Sequence, residues 1–308
     1  MQRYIATRLL LIPVTLFAVT TVVFFLVSLS GNEVSLLLPP EASTADRLAL
    51  QHKLGLDQPL PIQYAHYLSG AIHGDFGTSL YYQQPALDVA LGRVPATLEL
   101  IIFSIALAVT IGVGLGFAAA VMEGSWVDAL AGLISAFGQS MPTFGVGLML
   151  VLVFAVNLRW VPTSGSGTPE QLVLPVLTLA FAVMPTIMLI TRTRMIEAHR
   201  EPYVLVARAK GLSARRLWIR HVFRNGLNPI FSAIGLQLAT LVGGTVIVET
   251  IFAWPGIGQL SVEAVANRDL PLVEAVVLLM AIGVVTTNLL VDMALAVVDV
   301  RTRVTQRS

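Results

Sequence analysis

The chain has 308 residues, of which 56% are hydrophobic and only 12% are charged, and its mean hydropathy is +0.79. These values exclude an ordinary water-soluble protein and indicate that most of the chain lies in lipid. Nineteen basic residues against eighteen acidic ones give a net charge of +1, so no excess points to nucleic acid as a partner. The absence of cysteine excludes disulfides, thiolate metal sites and a catalytic thiol.

Six apolar stretches are long enough to cross the roughly 30 Å of membrane hydrocarbon as helices. A charge at the centre of such a helix costs about 2.5–3.5 kcal/mol, and only the last stretch contains one, Glu274. The sequence therefore predicts an all-α, polytopic membrane protein with six transmembrane helices. The predicted spans are residues 9–29, 100–122, 129–158, 172–191, 226–248 and 272–291.

The first stretch follows Arg3 and Arg8 and could be mistaken for a secretory signal. Its apolar run is longer than the usual stretch of about 7–15 residues, and the small residues that follow form a poor cleavage site. We therefore interpret residues 9–29 as a retained helix.

The distribution of basic residues predicts the orientation of the chain. With the N-terminus inside, 14 of the 19 basic residues lie on the cytoplasmic side and 5 lie outside. This bias predicts that both termini lie in the cytoplasm. The predicted organisation is an N-terminal helix (1–30), an extracytoplasmic subdomain (31–95), a five-helix core (96–296) with an internal loop (192–225), and a cytoplasmic tail (297–308).

The segment 31–95 is predicted to fold outside the membrane. Ser43 is a suitable N-cap for one short helix, and residues 64–73 form a second that ends at Gly74. Two interpretations are equally supported: a cap that protects the helix ends, or a docking surface for an external partner.

The internal segment 192–225, called here the basic loop, carries nine basic residues against two acidic ones. Residues 203–207 form an apolar run, Gly211 breaks it, and Ser213 is a suitable cap for a second helix that reaches Phe223. Arg216, Arg220 and Arg224 form a stripe on that helix. The loop is suited to contact with a cytoplasmic protein, and binding of lipid head groups by the arginines is the alternative.

The basic loop also carries a family resemblance. Residues 203–225, YVLVARAKGLSARRLWIRHVFRN, followed by Pro229, resemble the cytoplasmic signature loop of bacterial ABC-importer permeases of the dipeptide and oligopeptide (DppB/OppB-like) subfamily. Leu205, Val206 and Ala207 stand where the general signature has Glu-Ala-Ala, and Val300 replaces a usual proline. Similar segments are GLDQPLPIQYAHYLSGAIHGDFGTS at 55–79, RVPATLEL at 93–100, ETIFAWPGIGQL at 249–260 and NLLVDMALAVVDVR at 288–301.

The resemblance implies a heteromeric importer with a second homologous permease, two cytoplasmic ATPase domains and an extracytoplasmic binding protein for peptides. ATP and Mg²⁺ would be held by the ATPases, and this chain would bind no cofactor. A nickel-importing relative with similar membrane subunits is the closest alternative. The residues implied to contact the ATPase are Tyr203, Ala207, Arg208, Lys210, Gly211, Arg216, His221, Arg224 and Asn225.

The residues themselves argue against an enzyme. A P-loop needs a lysine directly after glycine, whereas Lys53 and Lys210 follow His52 and Ala209. No serine-nucleophile elbow, zinc-binding His-Glu-x-x-His helix or paired carboxylates occur, and no metal site is predicted. The histidines, interpreted as surface residues, are His52, His66, His73, His199 and His221.

Uncharged polar residues in the spans are candidates for the lining of a water-filled pathway through which a peptide crosses the membrane. Hydrogen bonding between helices is the alternative for each of them. An ion-coupled transporter is a weaker alternative for the whole protein, because no carboxylate is predicted near the bilayer centre. The pathway candidates are Gln139, Ser140, Gln237, Thr240 and Asn288.

Three further features concern the helix ends and packing. Trp254, Pro255 and Gly256 are predicted to shape the outer mouth of the pathway and to meet the binding protein. Pro142 and Pro185 are predicted to interrupt their helices. Gly112 and Gly116 form a small-residue pair that is typical of close helix packing.

Overall fold

The computed structural model describes residues 2–29, 43–53 and 57–298, and the described chain is helical apart from loops and one isolated β-bridge between Thr78 and Pro85. Gly55, Val300 and the tail beyond residue 298 lie outside the described residues. The helices are α1 (Gln2–Leu29), α2 (Thr44–Lys53), α3 (Leu60–His73), α4 (Ala86–Val121), α5 (Trp126–Ser140), α6 (Thr143–Asn157), α7 (Pro169–Arg200), α8 (Pro202–Ala209), α9 (Ala214–Phe252), α10 (Ile257–Ala266) and α11 (Leu270–Val298).

Four described helices are long and apolar enough to cross a membrane: α4, α7, α9 and α11. The pair α5 and α6 makes a fifth span if it is counted as one unit. The described apolar part of α1, Leu10–Leu26, is shorter than these helices and lies at the lower edge of the usual spanning length of about 17–25 residues. The all-helical membrane architecture is confirmed, and the sixth span stays a prediction.

Two prolines that were expected to interrupt helices behave differently. At Pro142 the predicted interruption is confirmed, because α5 ends at Ser140, α6 begins at Thr143, and the two helices meet at a bend of 107°, so the predicted span 129–158 is not one straight helix. Met141 before the proline takes an extended conformation, as the proline ring requires. At Pro185 the predicted interruption is wrong, because α7 continues through it.

Most helices extend beyond their predicted apolar spans. α4 begins at Ala86, so Pro95 lies inside a helix, and α7 continues to Arg200. The second helix of the basic loop does not end at Phe223 but runs on without a break to Phe252. Hydropathy marks only the part of a helix that lies in lipid, whereas charged residues at either end remain compatible with helix in water.

The chain divides into two compact units. The first contains Leu98–Trp254 together with short terminal pieces, and its central element is α7. Glycines on the neighbouring helices lie against α7: the Cβ of any larger residue at Gly112 would meet Ile187, one at Gly116 would meet Met188, and one at Gly138 would meet Pro185. The predicted packing role of the Gly112 and Gly116 pair is confirmed.

The second unit contains Ala6–Thr97 and Pro255–Val285. α3 packs on α1, where the hydroxyls of Tyr64 and Thr21 lie 2.5 Å apart and the rings of Tyr67 and Phe24 lie 5.5 Å apart. α3 ends at Gly74 with a left-handed φ of 75°, as predicted. It begins at Leu60, before the predicted start, because a proline fits the first turn of a helix.

A buried carboxylate joins two loops of this second unit. Asp269 is fully buried and accepts hydrogen bonds from the Ser79 hydroxyl at 2.5 Å, the Tyr81 amide at 3.1 Å and the Leu272 amide at 3.3 Å. Nearby, the Tyr82 hydroxyl donates to Glu263 at 3.0 Å, and burial together with this hydrogen bond raises the pKa of Tyr82. The segment before α4 is therefore tied to the loop between α10 and α11.

The predicted orientation can be tested with single cysteines in this cysteine-free chain. Ile72 is 82% exposed and Ser213 is exposed. A membrane-impermeant maleimide is expected to label Ile72→Cys on intact cells, and to label Ser213→Cys only after the membrane is permeabilised. Ser79→Cys serves as a buried control that should stay unlabelled in the folded protein. Labelling of Ser213→Cys alone on intact cells would invert the orientation.

Candidate functional site

Two helices meet at Gly211 in the basic loop, as the sequence predicts. α8 begins with Pro202 in its first turn, and its end is closed by hydrogen bonds from the Gly211 amide to the Arg208 carbonyl at 2.9 Å and from the Leu212 amide to the Ala207 carbonyl at 3.3 Å. Gly211 has a φ of 75°, which lies in the left-handed region that favours glycine. This turn directs the chain into α9.

One face of α8 is buried against the chain's own helices. Val204 and Ala207 pack in an apolar cluster with Leu217 and Val222 of α9 and with residues of α4 and α7. The family resemblance implies that Ala207 contacts the ATPase. Ala207 is only 8% exposed and anchors α8 to the helix bundle, so its contact with the ATPase stays a prediction.

Aromatic contacts hold the start of α9. Trp218 stacks on the ring of His199 at 4.2 Å and meets the edge of Phe117 at 5.9 Å. The Tyr203 hydroxyl donates to the Ala198 carbonyl at 2.9 Å. The basic loop is therefore attached to the ends of α4 and α7 at several points.

The opposite face of α8 is apolar and exposed. Leu205 is 68% exposed and Val206 is 55% exposed, although both lie in a strongly basic segment. The basic side chains around them are also exposed. Leu205 and Val206 were not predicted as site residues. Two apolar residues at the centre of a charged segment could have indicated a contact surface.

The other predicted loop residues take the following places. Tyr203 and His221 are half-buried, and the arginine stripe lies on the surface of the first turns of α9, which include the π-helical stretch Leu217–Phe223. The exposed members of the predicted set are Arg208, Lys210, Gly211, Arg216, Arg224 and Asn225.

Two ion pairs involve the first part of the basic loop, which belongs to α7. Arg192 of α7 forms a two-point pair with Asp128 at the start of α5, one contact of which is 2.8 Å. Arg200 pairs with Glu123 at 2.7 Å. Asp128 therefore holds α5 to α7.

The five predicted pathway residues lie on three helices. The side chains of Gln139, Ser140 and Thr240 donate to carbonyls of their own helices at 2.8–3.1 Å. Gln237 of α9 is half-buried and Asn288 of α11 is exposed. Bonds within one helix satisfy three of the five groups, and the pathway assignment stays a prediction.

The loop after α9, which was predicted to lie at the outer mouth of the pathway, is largely buried. Trp254 is 4% exposed and Gly256 is buried, while Pro255 is half-buried. Ala253, with a φ of 47°, reverses the chain after α9, and the Trp254 amide donates back to the Glu249 carbonyl at 2.9 Å. Trp254 and Gly256 are therefore buried within the chain itself, and the predicted contact of this loop with a binding protein stays a prediction.

Gly211→Ala is expected to destabilise the protein by about 1 kcal/mol, because its left-handed φ is costly for any residue with a Cβ. No atom lies within 4 Å of the added Cβ, so the cost comes from the backbone alone. Gly114→Ala is the matched control, with equal space and no left-handed φ. Thermal unfolding of the purified variants in detergent measures the difference, and equal midpoints for the two would contradict the prediction.

Comparison with known proteins identifies the family of this chain. Residues 112–304 match the family described as "Binding-protein-dependent transport system inner membrane component", and residues 1–101 match its N-terminal counterpart. The "Glutathione transport system permease protein GsiC" of Escherichia coli (strain K12) is 39% identical over 300 residues, covering 97% of this chain and 98% of the relative. The protein of the same name from Salmonella typhimurium is 38% identical with the same coverage.

Among solved structures, a chain of the MetNI methionine ABC transporter in inward-facing conformations matches with a TM-score of 0.56. It is 20% identical, and the match covers 68% of this chain and 96% of that chain. At this identity the likeness supports the fold alone. The family match and the full-length relatives show that this chain belongs to the binding-protein-dependent transport system inner membrane components, as a non-catalytic permease subunit of an ABC importer.

Proposed function

We propose that this permease subunit forms half of the pathway by which dipeptides or oligopeptides cross a bacterial cell membrane. Its family works with an extracytoplasmic binding protein and with partner ATPase subunits that hydrolyse ATP. In this proposal a second homologous permease completes the pathway, and both termini of the chain lie in the cytoplasm. The match to glutathione permeases supports a peptide substrate, because glutathione is itself a small peptide.

The observation that carries the ATPase contact is the division of α8 into two faces. Val204 and Ala207 fix the helix to the bundle, while Leu205 and Val206 remain exposed. Covering exposed apolar surface stabilises a complex by about 25 cal/mol per Å². The surrounding arginines and lysine offer partners for acidic side chains of the ATPase. Motion of the ATPase would then reach the membrane helices through the buried face of α8.

Leu205→Glu is expected to reduce binding of the partner ATPase by at least about tenfold, because it places a charge in the centre of the apolar contact. The buried face of α8 is unchanged, so the variant should insert and unfold as the natural protein does. Ile72→Glu is the matched control, since Ile72 is also exposed and apolar but lies on α3. Co-purification of the ATPase with each variant gives the measurement. If the Leu205→Glu variant co-purified with as much ATPase as the natural protein does, α8 would not be part of the contact.

A nickel importer is the second candidate for the substrate. Among the described residues no group of three or more histidine or acidic side chains is placed to hold a metal ion. The amides and hydroxyls proposed for the pathway, such as Gln237 and Thr240, are better suited to hydrogen bonds with peptide groups than to a metal ion. These observations favour the peptide.

Transport by proteoliposomes that contain the complete importer distinguishes the two substrates. Labelled dipeptides and glutathione are expected to accumulate in the presence of ATP and binding protein, and nickel is not. An ATPase variant that cannot hydrolyse ATP is the control for energy-independent leakage. Accumulation of nickel without accumulation of peptide would overturn the proposed substrate class.

A further inference from the structure

A single histidine connects the end of α7 to both helices of the basic loop. The ring of His199 stacks on Trp218 of α9 at 4.2 Å with an interplanar angle of 4°. Its Nε2 atom lies 2.6 Å from Nη2 of Arg208 on α8. His199 was interpreted as a surface residue from the sequence, but it lies on α7 and contacts α8 and α9 at the point where the three helices meet.

The contact with Arg208 specifies the protonation state of the imidazole. A guanidinium group has only donors, so Nε2 of His199 must accept and must carry no proton. The single proton then lies on Nδ1, which is buried and has no hydrogen-bond partner in the described structure. A second proton, on Nε2, would set two cationic groups against each other at 2.6 Å.

We propose that neutral His199 is a positioning residue that clamps α8 against the helix bundle, and that protonation of His199 releases the clamp. This inference rests on the proposed contact between α8 and the ATPase. With the clamp closed, Val204 and Ala207 stay buried, and Leu205 and Val206 present one fixed surface to the partner. Release lets α8 move without moving α7, so ATP hydrolysis is no longer transmitted to transport.

Burial and the charged groups around His199 set the direction of the effect. Burial is the largest influence and disfavours a charged imidazole, Arg208 disfavours it further, and Glu123, which lies between α4 and α5, favours it. Glu123 is already paired with Arg200 at 2.7 Å, which reduces its influence. An imidazole ordinarily titrates near pH 6.5, and the surroundings of His199 disfavour its charged form, so the clamp stays closed at that pH and is lost only as the pH falls below it.

The experiment measures the amount of substrate transported per ATP hydrolysed by the complete importer in proteoliposomes, with the ATPase side held between about pH 8 and about pH 5.5. The natural protein is expected to lose coupling on acidification. His199→Gln offers an uncharged acceptor to Arg208 and should keep a constant ratio across this range. His199→Ala lacks the acceptor and the stacked ring, and its ratio should be about tenfold lower at every pH. His66→Gln, an exposed histidine on α3, should follow the natural profile.

Two results would overturn the role of His199: a natural pH profile in His199→Gln, or a natural coupling ratio in His199→Ala. Measuring ATPase binding by the Leu205→Glu variant distinguishes a wrong role for His199 from a wrong proposal for the α8 contact. If Leu205→Glu loses the ATPase while His199→Gln behaves as the natural protein, α8 is the contact and His199 is not its clamp. If Leu205→Glu binds the ATPase normally, the α8 contact itself is withdrawn, and the clamp with it.

Discussion

Close packing of glycines against α7 is the constraint on which the first unit depends. In lipid there is little hydrophobic driving force between helices, so association requires short backbone approaches and well-filled contacts. Helices α4, α5, α6 and α9 each bring at least one glycine against α7, and 61% of the most apolar part of α7 is buried, compared with 28% for α9. These glycines are Gly112, Gly116, Gly138, Gly147 and Gly226.

The same helix positions the functional loop. Beyond its buried part, α7 carries Arg192, which holds the start of α5, and Arg200, which holds Glu123. It then presents His199 to Trp218 and Arg208. An exposed ion pair such as Arg200 with Glu123 contributes little stability, about 0–1 kcal/mol, but it fixes where the loop begins. The position of the basic loop is therefore set by α7, the central helix of the unit.

The sequence was most informative where one physical requirement dominates. Uncharged runs located the membrane helices, and Gly74 and Gly211 marked turns because a left-handed φ is costly for other residues. The two prolines show the limit of local reasoning. Pro142 bends its segment, whereas α7 continues through Pro185, whose ring packs against Gly138, a residue far away in sequence.

Other features depended on contacts that no local pattern shows. Trp254 resembles an exposed interfacial aromatic, yet the reversal at Ala253 buries it. The bond between Ser79 and Asp269 joins residues 190 positions apart. His199 and Ala207 belong to a charged loop by sequence, and only the packing of α8 onto the bundle reveals that both face inward. By contrast, Leu205 and Val206 could have been recognised as apolar residues with nothing local to cover them.

The continuity of α9 has a mechanical consequence. Its 39 residues form a rod of about 58 Å, far longer than the roughly 30 Å of hydrocarbon. The tightest described contact near its N-terminal end is at Gly226, where an added Cβ would lie 2.5 Å from the terminal methyl of Met195. Pro229 and the π-helical stretch Leu217–Phe223 lie on either side of this contact, and both are features at which helices bend. A shift of the basic loop would therefore be taken up partly by bending near Gly226, and only the remainder would reach the longer arm of the helix, from Gly226 to Phe252.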